Sequence, residues 1–275
     1  MTTATLTPVP TTRNGQHNGP KVTGRRVLRS EWSKFWSLRS SWITLAASVA
    51  VLIAFGVIAA GVYRPGSAHS SGSSADPVGL ALVGASIAGL IVGVLGVLMS
   101  AGEYGTGMVR STYVAVPRRW PVLASKSAVI GSLVLVLTTV GALVAFLAGA
   151  VSLHGDGVAL TLGDHGVLRS LVGAGVYLAL FAVFGVALGS LIRSTSGGIA
   201  ALVGIMMLLP GLAALLPGSM QDALKAYFPG NAGSSIYSLH QAAHTLSPGA
   251  GLAVFAGWVA LALAAAAIRL RRTDV

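Results

Sequence analysis

Few side chains in this sequence are placed for catalysis or ligand binding. His240 and His244 are four apart, a spacing that lets two imidazoles on one helix face share a zinc ion, but Gln241 stands where a metalloprotease needs its glutamate base. That replacement excludes the protease, and an ordinary polar outer segment accounts for the pair. His69, His154 and His165 show no ligand spacing, and Asp156 and Asp164 lack the clustered carboxylates that membrane lipid-transfer enzymes gather around metals. We read them as solvated. The chain has no cysteine, which removes disulfides, thiolate metal sites and cysteine nucleophiles. No glycine is followed by lysine, so a G-x-x-x-x-G-K-[ST] phosphate loop is absent. No catalytic residue, metal ligand or cofactor site is therefore assigned, and the chain is not read as an enzyme.

One polar segment stands apart. Residues 102–120 carry Glu103, Tyr104, Gly107, Arg110, Pro117, Arg118 and Arg119 between two long apolar runs. A short helix beginning near Glu103 would gain from an acid at its positive end, and Pro117 would stop it. The same composition also suits a plain basic connector between two membrane spans.

The elements around that segment follow from composition. Of the 275 residues 54% are hydrophobic and 9% charged, too few charges for a soluble surface. Apolar stretches of bilayer length run over 42–62, 79–101, 127–149, 170–192, 197–216 and 250–268, and all 25 charged residues fall outside them. A charge at mid-span costs roughly 2.5 to 3.5 kcal/mol, and the runs lack the two-residue alternation of barrel strands. The fold expected is an all-α integral membrane protein with six transmembrane helices. With the N-terminus inside, 15 of the 18 basic residues lie on cytoplasmic segments and only Arg64, Arg169 and Lys225 outside. Both termini are thus expected in the cytoplasm. The net charge of +11 is spread between apolar runs rather than gathered on one solvated face, which favours anionic lipid headgroups over nucleic acid.

Residues 1–24 are rich in Thr, Pro, Gly and Asn and read as a disordered tail before a membrane domain over 25–275. Over 25–40, Leu28, Trp32, Phe35 and Trp36 share a helical face, with the basic residues expected mostly around the other sides, the pattern of an amphipathic helix on the membrane surface. A cationic extension of the first span is the alternative. The stretch 63–78 reads as a mobile loop, and 217–249 as partly re-entrant or interfacial. Gly89-x-x-x-Gly93 and Gly185-x-x-x-Gly189 allow close helix packing, either at a homodimer seam or within one subunit. Pro210 is expected to free a carbonyl inside span five.

Glu103-Tyr104-x-x-Gly107-x-Val109-Arg110, then Pro117-Arg118-Arg119 and Lys126, resembles the first cytoplasmic loop of type-two ABC exporter permeases. The likeness continues along most of the chain after Arg25. Ser30-Glu31-Trp32-x-Lys34 is similar to that family's interfacial helix, and Leu191-Ile192-Arg193-Ser194-Thr195 to its tight turn between spans four and five. Tyr227-Phe228-Pro229-Gly230-Asn231-Ala232-Gly233 and Leu246-Ser247-Pro248-x-Ala250-Gly251 resemble its last outer loop, and Arg271-Arg272-x-Asp274 its tail. Met108 departs from the pattern, where relatives often carry Thr. The resemblance implies a multi-pass protein of the bacterial plasma membrane, paired as a homodimer or pseudo-symmetric dimer. Segment 102–120 would be a coupling helix docked on a separate ABC ATPase, which binds the ATP. The cargo implied is a hydrophobic or amphipathic compound such as a drug, antibiotic or lipid.

Three other readings are weighed on the residues. A secondary transporter would normally hold ionisable groups near the bilayer midplane, and the six runs have none. A membrane enzyme needs catalytic groups converging at one face, and no such constellation is visible. A membrane scaffold or anchor recruiting a cytoplasmic complex would use the same basic loop.

Overall fold

The computed structural model describes residues 23–63, 76–108, 120–152, 161–213, 215, 217, 221, 224–241 and 245–272. All regular structure among them is helical. Helix α1 spans Gly24–Ser37, and a break at Leu38 separates it from α2, Arg39–Val62. Then follow α3 Pro77–Ala81, α4 Ala85–Gly105, α5 Trp120–Ser152 and α6 Val167–Ile192. The fifth span is interrupted: α7 Thr195–Val203 passes through a π-helical turn, Gly204–Leu208, into α8 Leu209–Ala213. Short α9, Pro229–Ser235, precedes α10, Pro248–Arg272.

Six helical segments are long and apolar enough to cross a membrane. They extend past the apolar runs at their ends, so that Glu103, Lys126, Arg169 and Arg269 sit in terminal turns rather than in loops. Polar caps mark the boundaries. Asp76 Oδ1 accepts from Val78 N at 3.0 Å at the start of α3, beside a proline in the first turn. Ser194 Oγ accepts from Gly197 N at 3.3 Å at the start of α7. Only Arg193 and Ser194 join α6 to α7, which is possible because Arg193 takes a left-handed φ of 61° and reverses the chain at once.

Helix α6 is the centre of the bundle. It packs along α4 and α5 and also against α10, with Leu171, Leu178, Phe181, Phe184 and Val186 all buried. Its seam with α4 depends on glycine. A Cβ on Gly185 would strike the backbone carbonyl of Gly93, one on Gly96 the carbonyl of Ala182, and one on Gly189 would lie 2.9 Å from Val97 O. Gly89 and Gly93 press on opposite edges of the Phe181 ring. Both small-residue motifs therefore meet within one subunit, which places these glycines at an internal seam rather than a homodimer one.

The π-turn ends where Leu209 N bonds Gly204 O, five residues back, immediately before Pro210. Proline lacks an N–H, so the ladder cannot close normally there, and the wider turn takes up the mismatch. Helix α9 packs on α10 through Gly251, whose Cα faces Ala232 O and the Ser235 hydroxyl. Gly233 lies against the Tyr177 ring. Within 217–249, α9 is thus a packed element, with Pro229, Ala232, Gly233 and Ser235 buried.

Candidate functional site

Val27, Glu31 and Phe35, spaced by four, form the face of α1 that is buried against the bundle. Two of them are apolar; the third is a carboxylate only 2% exposed. A lone buried carboxylate is too costly to persist unpaired, and its partners are lysines from α1 and α5. Lys34 Nζ, one turn along α1, donates to Glu31 Oε1 at 2.9 Å and to Glu103 Oε1 at 3.1 Å. Lys126 Nζ, in α5, donates to Glu103 Oε1 at 2.7 Å and to the Met99 carbonyl at 2.9 Å. It also lies 3.1 Å from Glu31 Oε2, a charge contact outside hydrogen-bond geometry. Two acids and two lysines close a neutral ring that ties α1, the end of α4 and the start of α5.

Burial grades across the ring. Glu31 and Lys126 are nearly inaccessible, while Glu103 and Lys34 keep 15% and 26% of their side chains exposed. Desolvation pulls the Lys34 amine down, but the Glu31 hydrogen bond and the charges of Glu31 and Glu103 outweigh it and raise it above the usual lysine value. Glu103 lies in the last turn of α4, at the negative end of that helix dipole, where an acid is disfavoured by a few tenths to about 1 kcal/mol. Glu103 therefore closes α4 instead of opening the short helix expected near it, and helical structure resumes only at Met108. The apolar periodicity of span two carries one turn further than the apolar run itself, and the two lysines hold the carboxylate there.

Gly107 has a left-handed φ of 73° and lets the chain leave α4, a conformation costly for other residues. Tyr104 turns toward α6, and the Arg193 guanidinium carbon sits 5.3 Å from its ring centre. The Nε and Nη2 of Arg193 are buried without a hydrogen-bond partner, so the ring face is what they meet. Arg269 of α10 donates through Nη1 to Leu191 O, two residues before Arg193. Glu103, Tyr104, Arg193 and Arg269 thereby link α4, α6 and α10 at the same end of the bundle that holds α1.

Arg110, Pro117, Arg118 and Arg119 lie outside the described residues. So do residues 1–22 of the tail expected over 1–24, whose last residue Gly24 instead opens α1, and most of the loop 63–78. Of the four expected membrane-facing side chains, Leu28, Trp32 and Trp36 are exposed. Phe35 is not: it is fully buried, edge-on to Trp42 with ring centres 5.0 Å apart. The face read from sequence was one position too wide, because Phe35 lies on its border and completes the Val27–Glu31 stripe. His240 lies in a bend outside any helix, its Nδ1 3.8 Å from Asp76 Oδ2, and His244 is outside the described residues.

A cavity of about 480 Å3 opens beside the ring, with Leu95, Leu98 and Met99 on one wall and the Ser41 and Thr44 side chains on the other. Sequence reasoning missed the pairing of Glu31, Lys34 and Lys126 with Glu103. The signal was present: Glu31 is the one acid in a basic helix, and it falls four residues from Val27 and Phe35. No protein-family model matches the chain, and no curated protein matches it.

Proposed function

We propose that this chain is the membrane-spanning permease subunit of an ATP-binding-cassette exporter, working as a dimer in the bacterial plasma membrane with both termini in the cytoplasm. A separate ATPase docks on segment 102–120 and supplies the energy. The observation that carries this reading is the four-charge ring. It clamps the first residues of that segment to α1 and α5, so a push on the segment is passed to three helices rather than absorbed by a loose loop. Among the described residues the middles of the spanning helices hold no charged side chain, which favours energy input from outside the bilayer over ion coupling. The apolar wall of the adjoining cavity suits a hydrophobic or amphipathic cargo.

In this reading Glu103 acts as a positioning residue. It does not itself reach the ATPase; it fixes where the segment begins. The test is to purify the tagged chain in mild detergent, identify the subunits that accompany it, and measure ATP hydrolysis and transport in reconstituted vesicles. An ATPase subunit should co-purify. Glu103→Ala should leave ATP hydrolysis largely intact while uncoupling it from transport. Absence of any ATPase subunit, or full coupling in the Glu103→Ala protein, would overturn the proposal.

A further inference from the structure

We propose that the groove between α1 and α5 binds a phospholipid with an anionic headgroup. The groove has a volume of about 940 Å3, and its α1 wall carries Arg25, Leu28, Arg29 and Trp32. Against the expectation that the basic residues keep to the other sides, helical spacing puts positions 25, 28, 29 and 32 on one face, so guanidinium groups and apolar side chains alternate along it. Arg26 adds a third cation from the flank. The face buried against the bundle is a different one, that of Val27, Glu31 and Phe35.

The three arginines are exposed, and none makes an ion pair among the described residues. Glu31, the acid on their own helix, points away and is held by Lys34 and Lys126. The first turn of α1 has no acidic residue, and the Thr23 side chain makes no capping bond. The floor is Ala128, Val129 and Ser132 of α5, a helix long and apolar enough to cross a membrane. One groove thus joins two chemistries: planar guanidinium groups suited to phosphate oxygens, and an apolar wall with an indole suited to acyl chains at the membrane boundary. A free phosphate would leave the apolar wall wet. A zwitterionic lipid would leave the arginine charge unbalanced. An anionic phospholipid satisfies both halves, and this site stands whether or not the chain is a permease.

Native mass spectrometry of the full chain in mild detergent tests the site, with phosphatidylglycerol and phosphatidylcholine of identical acyl chains as probes. Phosphatidylglycerol should be retained in preference. Arg25→Gln/Arg29→Gln should weaken its binding by about 30-fold, from the usual contribution of a basic residue at an anionic surface. Arg25→Lys/Arg29→Lys should keep most of the preference, and Arg271→Gln/Arg272→Gln, which removes equal charge from α10, should keep all of it. Equal retention of the two lipids, an equal loss in both glutamine variants, or displacement of the lipid by inorganic phosphate would each overturn the site. If the first glutamine variant does not fold, brominated lipids decide the matter. Quenching should be stronger from the phosphatidylglycerol form and should fall on Trp32→Phe; no difference between lipids overturns the proposal.

Discussion

Removing Lys126 leaves the nearly inaccessible Glu31 with Lys34 alone to oppose two carboxylates. Breaking a buried ionic group on one side typically costs about 3 to 5 kcal/mol. Lys126→Met should therefore lower the thermal midpoint in detergent sharply, with a loss of about 3 kcal/mol. Lys126→Met/Glu31→Gln restores neutrality to what remains and should be more stable than Lys126→Met alone. Additive losses in that double-mutant cycle would mean that Lys126 and Glu31 do not interact. The ring also fixes a pH response. Because the Lys34 amine is raised in the folded state, its contribution is fully present below its usual value of 10.5 and fades as pH climbs through the raised value. Melts between about pH 7 and pH 10, below the usual lysine value, should show no loss attributable to Lys34. Lys34→Met should abolish the decline that follows at higher pH. Glu103 stood out in the sequence as a lone acid in a basic segment, but its partners did not, since Lys34 and Lys126 lie 69 and 23 residues away. Pairing across such separations is set by how helices pack.

Helices were the most readable level, because an uncharged run of bilayer length has one economical structure in lipid. What the runs did not reveal was which helix lies at the centre. All six segments have similar apolar composition, yet α6 is buried along most of its length while few residues of α7 and its continuation are buried. Glycine placement contributes to the difference, since α4 and α6 approach backbone to backbone where at least one of them carries glycine. Gly185→Ala forces a methyl group into the Gly93 carbonyl and should cost about 1 to 3 kcal/mol, read as a lowered thermal midpoint. Gly257→Ala, on an open face of α10, should be neutral or stabilising by up to about 1 kcal/mol. Equal effects would contradict the α4–α6 seam. Pro210 is a second element-level test. Its expected disruption is realised as the π-turn over Gly204–Leu208. Pro210→Ala supplies the missing N–H, and amide exchange over 204–210 should slow.

The molecule as a whole is polarised. The charge ring, the Arg193–Tyr104 stack and the Arg269 tie all gather at the end that carries α1, whereas the opposite end holds Asp76 and His240 and the bond from Arg169 to Ser238 O. Among the described basic residues, Lys34, Lys126, Arg193 and Arg269 lie at the first end and Arg169 at the second. The cysteine-free chain gives a direct test of what the polarised end is for, because single cysteines can be added without removing any. The decisive measurement is cross-linking in native membranes from Arg119→Cys, with His240→Cys as the opposite-end control, and identification of the adducts by mass spectrometry. The proposal predicts a nucleotide-binding ATPase subunit attached at position 119 and none at position 240. No ATPase adduct at 119, or equal labelling from both positions, would contradict it.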